Sequence, residues 1–162
     1  MKITLLALVI LMWIGSPASA QELKRISLDD ASTIGLKIQS DSGVKAEGNA
    51  SIRITTKWPT TVCLAEVTGP DIQDARLVYR ARVKSELQGT AFLEMWAHVG
   101  GGQYFSRGMN DAVQGKSSWK TIQTPFMFQK GQKPTKVTLN IVINGTGTVW
   151  IDDIVLSKEP LK

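Results

Sequence analysis

The sequence predicts an all-β fold of antiparallel strands, arranged as a sandwich or a barrel. Three observations point to it. Beyond the first twenty residues, apolar side chains recur at every second position, and the helical period is nearly absent. Clusters of Gly, Asn, Asp and Pro separate the alternating stretches. The 162 residues are 43% hydrophobic and 20% charged, which suits one globular domain with a core and excludes a disordered chain.

The first element is an address. Met1 and Lys2 precede a run over residues 3–14 that is apolar apart from Thr4. Gly15, Ser16 and Pro17 break it, and Ala18, Ser19 and Ala20 form the small-x-small pattern of a signal-peptidase site. The run is shorter than the roughly 20 residues that span a bilayer. The expectation is a signal peptide over residues 1–20 and one exported domain over residues 21–162, periplasmic or extracellular, with no transmembrane segment after cleavage. Losing Lys2 takes the net charge from +5 to +4. The excess is spread along the chain, so it predicts no nucleic-acid site.

Strands follow in order. Ile34, Leu36 and Ile38 alternate with polar residues or Gly, then Ile52 and Ile54, then Leu77, Tyr79, Ala81 and Val83. Leu93, Met95, Ala97 and Val99 form the next, and Val137, Leu139, Ile141 and Ile143 another. One wet and one dry face per strand is the signature of antiparallel sheets. Turns are expected at residues 40–43, 69–71, 88–89, 100–102, 130–131 and 144–145, with Asn144 and Gly145 giving a hairpin signal. Any helix is expected to be a single turn, over 28–32 or 72–75. Cys63, on a strand face with Thr61, Ala65 and Val67, reads as a small buried apolar residue. One Cys excludes a disulfide scaffold, and one His excludes a multi-histidine metal centre.

The ending carries a family likeness. Residues 145–156, Gly-Thr-Gly-Thr-Val-Trp-Ile-Asp-Asp-Ile-Val-Leu, resemble the final strand of jelly-roll carbohydrate-binding modules in the galactose-binding-like superfamily, which reads Gly-x-(aromatic)-x-Asp-Asp-(Val/Ile)-x-Leu. Residues 48–54, Gly-Asn-Ala-Ser-Ile-Arg-Ile, resemble the early Gly-x-x-Ser strand of those modules, and residues 118–126 their Trp-x-x-(Val/Ile)-x-x-Pro-Phe strand. The resemblance implies an antiparallel β-sandwich of jelly-roll type. It also implies a structural calcium in several such families, for which the matching positions are Asp152 or Asp153, Glu47 and the Asn49 carbonyl. Asp29, Asp30 and Asp41 are alternative early acids. The competing reading is that the Asp pair caps backbone turns.

Alternation places Glu94, Trp96 and His98 on the face away from Leu93 and Met95. An aromatic ring beside hydrogen-bonding groups suits a sugar, whose C–H face stacks while its hydroxyls need donors and acceptors. Arg80 and Arg82 alternate the same way on the preceding strand and are expected opposite Glu94. Tyr104 and Arg107 sit beside the Gly100–Gly102 loop as further candidates. Against this stands simple packing: Trp96 under a loop, Glu94 ion-paired with Arg82, and Tyr104 or Phe105 plugging the sandwich edge. Trp119 and Trp150 read as packing residues, and Trp58 lies at a strand end.

No Gly-x-Ser-x-Gly or His-Glu-x-x-His occurs, and Glu94 and His98 stand about 13 Å apart along a strand. The leading reading is therefore a secreted, non-catalytic module that binds a carbohydrate or similar polar ligand. The alternative is a stand-alone envelope protein that docks on a protein partner or an anionic envelope polymer.

Overall fold

The computed structural model describes residues 19–29 and 38–161. Residues 1–18 of the expected signal peptide, the expected strand positions Ile34 and Leu36, Asp30 and most of the expected turn over 28–32 lie outside them. Eight strands follow in chain order: β1 Gln21–Ile26, β2 Ile38–Asp41, β3 Ser51–Thr56, β4 Thr60–Thr68, β5 Ala75–Val99, β6 Gly102–Arg107, β7 Val113–Phe128 and β8 Pro134–Glu159. All pair antiparallel. No α-helix occurs among the described residues. Among those residues the one helical turn is a 3-10 turn at Met109–Asp111, and residues 72–75 are not helical.

Two long strands form the spine. β5 and β8 pair from Arg76 with Glu159 through to Val99 with Pro134. The outer edge of β8 carries β4, then β3, then β1. The outer edge of β5 carries β7 and then β6, and β2 extends β3. Midway, both spine strands bend at glycine. A Cβ on Gly145 would lie 2.1 Å from the Gln88 carbonyl oxygen, and one on Gly89 would lie 2.3 Å from that of Asn144. These residues were expected to end strands. The chain instead runs through them, because the freedom that permits a tight turn also permits a kink with pairing intact.

The bend folds the sheet into two layers around one core. Leu93, Met95, Ala97, Val137, Leu139, Ile141 and Ile143 come from one half of the spine, and Leu77, Tyr79, Ala81, Val83, Val149 and Ile151 from the other. All are fully buried, and each Val, Leu, Ile or Met side chain among them contributes about 1.5–3 kcal/mol relative to exposure. The edge strands of the two layers meet where the Ser106 hydroxyl pairs with that of Thr124 at 2.7 Å. The architecture is the expected antiparallel sandwich.

Several local expectations hold. Asp41 Oδ1 accepts the N–H groups of Gly43 and Val44 at 3.0 Å, closing the first turn. Gly100 and Gly101 take positive φ between β5 and β6. Cys63 is a correction: it is exposed. A register shift between Cys63 and Ala65 turns Leu64 into the core instead, which two-residue alternation does not foresee. Desolvation, and then Glu66, push its thiol up, away from the reactive thiolate.

Candidate functional site

The outer face of the β4-β8-β5-β6 layer carries rows of aligned residues. In one row Asn140, Glu94 and Arg107 are register partners; in the next, Glu66, Thr138, Trp96 and Phe105; in the third, Lys136, His98 and Gln103. Glu94 is the centre. It is only 3% exposed. Its Oε1 accepts Trp96 Nε1–H at 2.8 Å and Asn140 Nδ2–H at 3.1 Å, and its Oε2 accepts Arg107 Nε–H at 2.6 Å. Burial pushes this carboxyl up, but the donors of Arg107, Trp96 and Asn140 outweigh it and hold Glu94 below the usual carboxylate range. A buried carboxylate without such partners would cost several kcal/mol.

The aromatic part follows from that anchoring. The Trp96 ring, fixed by its N–H, packs against Phe105 with centroids 5.1 Å apart. Arg107 lies over the other ring, 4.8 Å from the Phe105 centroid. Trp96 is half-buried, while Phe105 is 52% exposed. The more exposed ring on this face is thus Phe105, with Trp96 packed against it and Arg107 over it. Asn140 is 7% exposed, and its Oδ1 has no donor among the described residues. Such a group takes a water or a ligand hydroxyl.

The structure brings together Glu94, Trp96, His98 and Arg107. It separates the others. Tyr104 pairs with Ala97, an inward position, so its ring projects on the other side of β6. There it lines a hollow with Val99, Phe126, Met127, Gln129 and Gln132. Arg80 and Arg82 are not opposite Glu94, because the spine bend puts the two halves of β5 in different layers. Arg80 donates to Gln123, Ser157 and Glu159, and Arg82 to the Ala46 carbonyl at 3.2 Å. Trp150 is buried under Lys84 and donates to Asp41, Trp119 is half-buried, and Trp58 stands exposed between β3 and β4.

Phe105 and Asn140 were missed as site residues. Phe105 was legible: a two-residue turn at Gly100 and Gly101 sets Val99 opposite Gly102 and therefore Trp96 opposite Phe105. Asn140 needed the β5–β8 register, which no local signal supplies.

The calcium positions belong to the other half of the spine and to the loop before β3. Asp152 is buried; its Oδ2 accepts the N–H groups of Ala46 and Glu47 at 2.9 and 3.0 Å, and its Oδ1 accepts that of Asp153. Asp153 pairs with Arg25. The Asn49 carbonyl accepts Lys45 Nζ–H at 3.3 Å, and Glu47 is exposed. Calcium requires oxygens free to point at it. Here they face N–H groups, and no set of three or more acidic, His or Cys residues is placed to hold an ion among the described residues. The residues present do not fit the ion.

No protein-family model and no curated protein matches the chain. Solved structures do. The CBM22-1–GH10 modules of the Clostridium thermocellum endo-1,4-beta-D-xylanase 10B, complexed with xylohexaose, are similar with a TM-score of 0.61 and 13% identity over 83% of this chain and 28% of that one. The CBM22-1 xylan-binding domain of Paenibacillus barcinonensis Xyn10C gives 0.59 and 14%, over 91% of this chain and 100% of that one. A family 16 carbohydrate-binding module gives 0.56 and 8%, over 79% and 95%. The chain has the jelly-roll β-sandwich fold of the carbohydrate-binding modules.

Proposed function

We propose that this chain is an exported, non-catalytic module that binds a neutral polysaccharide of the xylan type on the outer face of the β4-β8-β5-β6 layer. The observation that carries the reading is the exposed Phe105 ring, backed by Trp96 and Arg107 beside the buried Glu94–Asn140 pair. A stacked ring holds the C–H face of a pyranose, and polar groups fixed in one rotamer meet its hydroxyls without further ordering cost. The charges of this face are paired, Glu94 with Arg107 and Glu66 with Lys136, which favours an uncharged ligand. One similar structure is a xylan-binding domain and another is of modules complexed with xylohexaose, which supports the same class. Export rests on the signal peptide over residues 1–20. The alternative, docking on an anionic envelope polymer, has less support: Arg76 and Arg80 converge on Glu159, Arg82 is engaged by a carbonyl, and Lys84 covers Trp150.

Isothermal titration with xylohexaose, and gel retardation in soluble xylan, test this. Phe105→Ala is expected to weaken binding roughly tenfold, the equivalent of about 1.4 kcal/mol, with little change in the melt because the ring is exposed. Retention of full affinity in Phe105→Ala, or no binding by the wild type to xylan or to other neutral polysaccharides, overturns the reading.

A further inference from the structure

The corner where β1, the loop at 42–50 and the end of β8 meet is built to hold anions. Ala46 and Glu47 direct their N–H groups at the Asp152 carboxylate. Asn49 and Ala50 direct theirs at Asp29 Oδ1, at 2.7 and 2.8 Å. Gly48 lies between the two pairs with φ of +61°, and a Cβ there would come within 3.0 Å of both Asp29 oxygens. One short loop thus presents four N–H donors as two cups, each filled by a carboxylate of the chain itself. Successive N–H groups in such a loop form an anion-binding concavity, with positive potential at its mouth. A divalent cation placed here would meet the N–H ends of the peptide dipoles.

The compensating charge is on the protein too. Arg25 of β1 donates to Asp153 and, through Nη2 and Nε, to Glu22 at 2.9 and 3.3 Å. We propose that this chain has an internal cation clamp in place of the metal: the Arg25 guanidinium and the four N–H donors at residues 46–50 neutralise Asp29, Asp152 and Asp153. They fasten β1 and the loop to β8 without calcium. The domain then folds and binds its ligand equally well with or without divalent ions.

The test is calorimetry on the full chain in chelator and in millimolar calcium. The expected result is a melting temperature that agrees within about 1 °C between the two conditions, and no stoichiometric heat on titrating calcium. Asp29→Asn and Asp152→Asn remove the charge that the cups hold while keeping the side-chain shape. Each is expected to lower the melt by roughly 3–5 °C, equally in both conditions. Arg25→Gln, whose side chain is half exposed, is expected to cost less, and calcium is expected not to restore it. A wild-type melt raised several degrees by calcium overturns the proposal, as do Asn variants as stable as the wild type. If either Asn variant fails to fold, the wild-type calcium titration decides alone.

Discussion

At the scale of single residues, Glu94 decides how the candidate face behaves. Its carboxylate is held low because Arg107, Trp96 and Asn140 all donate to it. A carboxyl whose folded value is depressed adds stability above its unfolded value, about 4.3, and loses it as the pH falls through the folded one. Glu94→Gln keeps the shape but leaves Arg107 without an anion. Arg107 is half exposed and rehydrates, so the expected loss is about 1–2 kcal/mol at pH 7. Urea melts at pH 7 and pH 3 check this: the gap between variant and wild type is expected to narrow at the lower pH. Parallel losses at both would mean that the charge of Glu94 does not matter. The same substitution frees the Trp96 ring to turn, so ligand affinity is expected to fall along with stability.

The bend in β5 and β8 governs the level of strands. Gly145→Ala puts a methyl group 2.1 Å from the Gln88 oxygen, a backbone atom that cannot rotate away. The two strands must separate locally, and the expected cost is about 3 kcal/mol or more, read as a large drop in the urea midpoint. A near-neutral result would show that the spine is not held tightly there. This is also where sequence reading reached its limit. Alternation located every strand body that it was applied to within the described residues, since the core face of each obeys a period of two. It did not show that 75–87 and 90–99 are one strand, or that 137–143 continues into 149–156. Gln88-Gly89 and Asn144-Gly145 carry the same local chemistry in a kink as in a turn, and only the partner across the ladder distinguishes the two. Cys63 failed for the related reason that a bulge shifts the period by one residue. The site was half legible on the same grounds: Glu94, Trp96, His98 and Arg107 follow from alternation and a short turn, whereas Asn140 and the displacement of Arg80 and Arg82 depend on long-range register.

For the whole molecule, the dominant fact is that β8 touches β1, β3, β4 and β5 and lies inside both layers. Every other strand precedes it in the chain. Synthesis therefore yields seven strands, of which β1, β3, β4 and β5 lack their shared neighbour until Pro134 and the residues after it arrive. A chain cut at residue 133 is expected to be unfolded, with no dispersed amide signals and rapid proteolysis, although it keeps most of the apolar residues. A folded fragment would show that β5 with β6 and β7 forms a stable unit by itself. The timing has a cellular consequence. A polypeptide that cannot close its core until its last long strand appears stays threadable throughout elongation, which is the state that the proposed export would require of it.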